Sequence, residues 1–203
     1  MSNTKKYPVN EIFYSMQGEG SFSGAPAVFV RFVGCNLRCP FCDTQHLEPV
    51  TLMSPAQIAD AIDDVRGNCR FVVLTGGEPA HVVDTNLLRY LHEKMDVAIA
   101  METNGTAPVN AEVDWVTVSP KSDFVPGAEV VQKNAHEVKV VFDGVHDPAH
   151  WLADIRATEY FLQPCDTGDA EKNAALVAAC IDYIKENPHW RLSLQVHKIV
   201  KIR

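Results

Sequence analysis

Apolar residues come along this chain in short runs, and polar residues collect where each run stops. Ala27 to Val33, Phe71 to Leu74, Val97 to Met101, Trp115 to Val118, Glu137 to Phe142, Tyr160 to Leu162 and Arg191 to Val196 are rich in β-branched and aromatic residues. They are too short for helices, so each predicts a strand. Ser54 as N-cap, Pro55 at the first helical position and Gln57 as reciprocal capping partner predict a helix to about Val65, ended by Gly67. Further helices are expected near Asn86 to Lys94, Pro148 to Arg156 and Ala170 to Glu186. The connections Gly105 to Asp114 and Lys121 to His136 hold too much Pro, Gly and Asn to be full helices.

Strands alternating with helices predict an α/β fold with a mostly parallel sheet under covering helices. The polar clusters that follow the strands are Gly34 to Thr44, then TGGEP, ETNG, SPK, QP and HK. In parallel α/β barrels this edge carries the active site. A doubly wound sheet would show the same pattern, but no dinucleotide fingerprint is present. The expectation is therefore a shortened, partial (β/α) barrel of about six to seven mostly parallel strands. With 203 residues and 46% hydrophobic content, the chain suits one domain, residues 1–203, with a sizeable core.

Charge and composition narrow the partners. The 18 basic and 26 acidic side chains give a net charge of −8, which disfavours nucleic acid and anionic membranes. Met1 to Asn10 lacks the apolar core of a signal peptide. No run approaches the ~18 apolar residues of a membrane span, and a cytoplasmic location is expected.

The densest chemistry lies in Gly34 to Thr44, GCNLRCPFCDT, which holds Cys35, Cys39 and Cys42. Thiolates this close point to a metal rather than a disulfide. Three thiolates fall one short of a closed zinc site, and two readings follow. His46 completes a structural Cys3His zinc site, or a four-iron cluster keeps one iron open to a substrate or cofactor. Cys69, Cys165 and Cys180 are scattered, and Cys180 reads as helix core.

Other residues carry alternatives of their own. Gly18 and Gly20 flank Glu19, allowing close approach to a ligand or forming a plain surface turn. Arg31 interrupts a buried strand and needs either a structural carboxylate or an anionic ligand facing a cavity. Gly76 and Gly77 open backbone to a ligand beside the Glu78 carboxylate.

The spacing Cys-x3-Cys-x2-Cys followed by TGGEP resembles the signature of the radical S-adenosylmethionine (SAM) enzymes. Together with FYSMQGEG, Asp43-Thr44, ETNGT, VSPK, LQP and QVHK, the chain from about Tyr7 onward is similar to the 7-carboxy-7-deazaguanine synthase family. It keeps the compact cysteine spacing that some members lengthen. The resemblance implies a carbon–nitrogen lyase of queuosine and 7-deazapurine biosynthesis. Such enzymes convert 6-carboxy-5,6,7,8-tetrahydropterin into 7-carboxy-7-deazaguanine with loss of ammonia. They abstract hydrogen at carbon 6 with a 5′-deoxyadenosyl radical and then contract the ring.

By the same resemblance, Cys35, Cys39 and Cys42 hold a 4Fe-4S cluster and Thr44 binds magnesium. Phe41, Cys42, Asp43, Gly77, Glu78, Ser119, Pro120, Lys121 and Gln163 lie at the SAM positions. Met16, Gln17, Gly18, Arg31 and Thr75 match substrate positions, with Glu102 and His197 as further pocket candidates. For His197 the plain alternative is a histidine merely satisfied near the end of the chain. A homodimer and an electron donor such as flavodoxin or ferredoxin are implied. The rival readings are a radical SAM activase acting on a glycine of a partner protein, and a zinc-binding module without catalysis.

Overall fold

The computed structural model describes residues 5–44 and 47–203. His46, the fourth ligand of the zinc reading, lies outside the described residues. The strands are β1 (Tyr7–Met16), β2 (Pro26–Phe32), β3 (Thr51–Met53), β4 (Phe71–Gly76), β5 (Ala98–Thr103), β6 (Trp115–Val118), β7 (Glu137–Phe142), β8 (Glu159–Pro164) and β9 (Arg191–Leu192). The helices are α1 (Pro55–Arg66), α2 (Thr85–Lys94), α3 (Trp151–Asp154), α4 (Ala170–Glu186) and α5 (Val196–Val200).

All nine strands form one sheet in the order β3-β1-β2-β4-β5-β6-β7-β8-β9. From β2 to β9 every pairing is parallel, so the seven strands expected from the sequence are the seven parallel ones. β1 and β3 are antiparallel additions on the β2 edge. The sheet runs from β3 to β9 without closing on itself, which makes it a partial barrel.

Period-two alternation gives the sheet two unlike faces. Val28, Val30, Phe32, Val72, Leu74, Ile99, Met101, Val138 and Val140 pack on one face against Ile58 and Ile62 of α1 and Leu87, Leu88 and Leu91 of α2. Burying Ile58 and Ile62 fully contributes about 1.5–3 kcal/mol each. The other face carries a small cluster, Ala27, Val73 and Ala100. Beyond that cluster the same face turns polar.

Helix α1 starts as its sequence dictates: Ser54 Oγ accepts from Gln57 N and the Gln57 side chain accepts from Ser54 N. The helix expected over Pro148 to Arg156 is only a 3₁₀ turn at Pro148–His150 followed by α3. It stops because Arg156 N donates to Lys133 O at 2.9 Å and Arg156 O accepts from Ala135 N, drawing the chain into an extended bridge. The final strand is also shorter than expected. After Ser193 N donates to Leu162 O, pairing ends and the chain turns into α5, where Val196 N donates to Gly18 O at 3.0 Å. His197 and Lys198 therefore lie on a short helix, not at a strand end. That helix bridges from the β8 side of the sheet to the end of β1.

Candidate active site

The cysteine loop leaves the end of β2 at Gly34, whose φ of 89° favours glycine. Its shape is set by Leu37, 7% exposed, and by Cys42 N donating to Cys39 O at 3.2 Å. The TGGEP turn at the end of β4 docks directly on the loop. Gly77 N donates to Phe32 O at 3.0 Å and Glu78 N to Gly34 O at 2.8 Å. A Cβ on Gly77 would lie 1.7 Å from Gly34 O, so only glycine permits this approach. The glycine pair thus seats the cysteine loop as well as lining the cavity.

Glu78 is 1% exposed. Its carboxylate accepts from Thr103 Oγ1 and Asn104 N, each at 2.6 Å, and from Ala80 N at 3.0 Å. Burial pushes its pKa up while these donors pull it down. The carboxylate therefore ties TGGEP to ETNG. Asn104 carries the tie onward, its Nδ2 donating to Asn36 Oδ1 at 3.1 Å beside Cys35.

One cavity of about 330 Å³ opens at this edge of the sheet. Cys35, Cys39, Phe41, Cys42, Asp43 and Thr44 of the loop line it, with Thr75 on β4, Gly77 and Glu78 just beyond β4, Glu102 on β5, and Ser119 and Lys121 beyond β6. Gln163 on β8, Met16, Gln17 and Gly18 at the end of β1, Arg31 on β2 and His197 on α5 complete the wall. Of the residues matched to cluster, magnesium, SAM or substrate positions, Pro120 alone does not line the cavity. It is buried beside it.

Arg31 finds the structural carboxylate of its first alternative and also stands on the cavity wall. Its Nε donates to Glu11 Oε1 at 2.8 Å across the β1–β2 pair, and the side chain lines the cavity. Lys121 Nζ donates to Ser119 Oγ at 2.5 Å and Ser119 O at 2.7 Å, and burial brings its pKa down to about 8. Phe41 meets Phe124 edge to face at 4.8 Å, which braces the cysteine loop against the segment after Lys121.

Sequence reasoning named Glu102 in the floor but missed the cation that holds it. Lys139 on β7, 5% exposed, donates to Glu19 Oε2 at 2.6 Å and to Glu102 Oε2 at 3.0 Å. Gln195 Nε2 donates to Glu19 Oε1 at 3.1 Å and to Asp43 Oδ2 at 3.2 Å. Lys198 Nζ pairs with Asp43 at 2.5 Å and Asp166 at 2.8 Å, so α5 straps the cysteine loop to the end of β8. A lysine inside the buried run EVKVVF was the available signal, by the argument already applied to Arg31.

Residues 29–146 match the family model described as Radical SAM superfamily. The chain is 45% identical to a 7-carboxy-7-deazaguanine synthase of Bacteroides thetaiotaomicron over 195 residues, covering 96% of this chain and 98% of that one. It is 39% identical to the Bordetella pertussis protein of the same name, covering 97% and 99%. The crystal structure of QueE from Escherichia coli superposes with a TM-score of 0.78 at 30% identity, covering 95% of each chain. The chain belongs to the 7-carboxy-7-deazaguanine synthase family.

Membership in this radical SAM family brings SAM and a 4Fe-4S cluster. The donor set fits such a cluster. Burial pushes the Cys35 and Cys39 thiols above their ordinary pKa, and the charge of a Cys42 thiolate adds to the rise in both. A strongly cationic centre is what allows all three to ionise together. Among the described residues no three His, Cys, Asp or Glu side chains converge on a single ion.

Proposed function

We propose that this protein is a single-domain 7-carboxy-7-deazaguanine synthase, a lyase that converts 6-carboxy-5,6,7,8-tetrahydropterin into 7-carboxy-7-deazaguanine and ammonia. The observation that carries this reading is the convergence of the cysteine loop, TGGEP, Ser119-Lys121, Gln163 and the QGEG segment on one cavity. Its volume of about 330 Å³ suits small molecules. When bound, the cluster and SAM together supply a hydrogen-abstracting 5′-deoxyadenosyl radical.

The chain's own residues bind and orient. Cys35, Cys39 and Cys42 would hold the cluster, while Phe41, Asp43, Gly77, Ser119, Lys121 and Gln163 form the SAM side of the cavity. Pro120 acts from behind that wall, and Glu78, on the wall itself, fixes Asn104 and the glycine turn. Arg31, steered by Glu11, faces the cavity as the cation for the substrate carboxylate. Met16, Gln17, Gly18, Thr75, Glu102 and His197 frame the ring system. Thr44 offers a hard oxygen ligand suited to magnesium.

We further place the protein in the cytoplasm as a homodimer fed electrons by a flavodoxin or ferredoxin. Among the described residues no helix is long and apolar enough to cross a membrane. The test is an anaerobic assay of cluster-reconstituted protein with SAM, reductant, magnesium and the pterin, read by mass spectrometry. Formation of 7-carboxy-7-deazaguanine is expected. Release of 5′-deoxyadenosine with no deazapurine would overturn the substrate and favour an activase.

A further inference from the structure

The floor of the cavity holds more negative than positive charge. Glu19 arrives from the loop after β1, Glu102 from β5, and Lys139 between them from β7. A third carboxylate, Glu137, stands two residues before Lys139 and accepts from Ser21 N at 2.8 Å. It lies so close to Gly20 that a Cβ there would be 2.0 Å from its Oε1. The other charges coupled to this group are His197 of α5, which acts on Glu19, and Lys121 beyond β6, on which Lys139 and Glu19 act in opposite directions. Lys139 is the cation that touches both Glu19 and Glu102.

The contacts give that cation a directional consequence. Glu102 places Oε2 on Lys139 at 3.0 Å and receives Gln17 Nε2 on Oε1 at 3.1 Å. Gln17 Oε1 in turn accepts from Glu19 N at 3.2 Å. The Gln17 amide is thus oriented by an acceptor on one end and a donor on the other. A protonated Glu102 would weaken the acceptor end and free the amide to turn.

We infer that Lys139 is a positioning residue for substrate recognition: held between Glu19 and Glu102, it fixes the Glu102 carboxylate against Gln17. The floor then presents acceptors to the amino and ring N–H donors of the substrate. This rests on the proposed occupation of the cavity by the pterin. The surroundings raise the Glu102 pKa, burial first, with Glu19 and Glu137 adding to the rise and Lys139 as the charge that opposes it. A buried carboxylate that loses its cation takes up a proton.

The test uses cluster-loaded protein with Glu carboxyls labelled by 13C, the Glu102 resonance being assigned with E102Q. In K139M the Glu102 titration should move to higher pH by roughly one unit or more, and in E19Q, which removes a like charge, to lower pH. The acid limb of kcat/KM for the pterin should move in the same two directions, with KM in K139M raised roughly tenfold at neutral pH. A lysine that served packing alone would lower the melting temperature and leave both limbs in place. Unmoved titrations, or shifts of the same sign in the two variants, overturn the inference. Should K139M fail to fold, K139Q, which keeps a hydrogen-bond donor without the charge, should show the same upward shift, and an unmoved titration in it overturns the inference. Because the resonance titrates without turnover, a wrong substrate would show as absent product while the carboxylate readout still judges Lys139.

Discussion

Gly18 and His197 meet so closely that a methyl group on Gly18 would lie 2.2 Å from His197 Nδ1 and 3.0 Å from His197 N. The contact joins the end of β1 to α5, and Val196 N donating to Gly18 O secures it. The missing side chain at Gly18 is therefore what lets the unclosed sheet be strapped across its gap. Gly18→Ala should displace His197 and the strap, lowering product formation at least roughly tenfold with a smaller loss of stability of about 1–3 kcal/mol. H197A in the same background relieves the ring contact but not the backbone one. Steady-state kinetics should show partial recovery only if His197 is not itself essential to turnover.

Gly77→Ala probes the other close approach. Its methyl group would sit 1.7 Å from Gly34 O and 2.8 Å from Cys35 N, both backbone atoms that cannot swing aside. The TGGEP turn must then lift from the cysteine loop. Iron bound after anaerobic reconstitution should fall well below four per chain, and denaturant unfolding should show a loss of at least about 1–3 kcal/mol. Wild-type iron content in this variant would refute the seating role.

The six cysteines should separate into two classes. Cys39→Ala should abolish both the brown colour and deazapurine formation, since the loop would supply two thiolates to a cluster that needs three. Cys180→Ala removes a sulfur that is fully buried in α4 against the core. It should reduce stability by about 1 kcal/mol and leave iron content intact. Iron quantification with thermal melts checks both variants.

What could be read in the sequence depended on whether the partners lie near one another along it. The cysteine loop, TGGEP and the α1 capping box are local, so residue types and spacing suffice, and the seven parallel strands emerged from apolar runs alone. Lys139 was hidden because alternation says only that it faces opposite to Val138 and Val140, and not which face encloses the site. Glu78 lines the cavity as its place in TGGEP suggested, but the partners of its carboxylate, Thr103, Asn104 and Ala80, are ones that only the fold brings to it. Helix α5 has no periodic signal over five residues. It exists through Gly18, Asp43 and Asp166, all distant in sequence.

Acid stability should report on the floor of the cavity. Burial alone pushes the Glu19 pKa up, but attraction to Lys139, hydrogen bonds from Lys139 and Gln195, and the field of His197 outweigh it and bring the value to about 2. The folded pKa lies below the ordinary 4.5, so the folded state binds the Glu19 proton less readily than the unfolded chain does. The stabilisation is therefore complete above about pH 4.5 and is lost as pH falls through that value toward about 2. Glu19→Gln should be less stable than wild type at neutral pH, and the two unfolding curves should converge as pH is lowered across this window. Urea unfolding at a series of pH values measures the gap. A gap that stays constant with pH would mean that Glu19 is not held by Lys139 in solution.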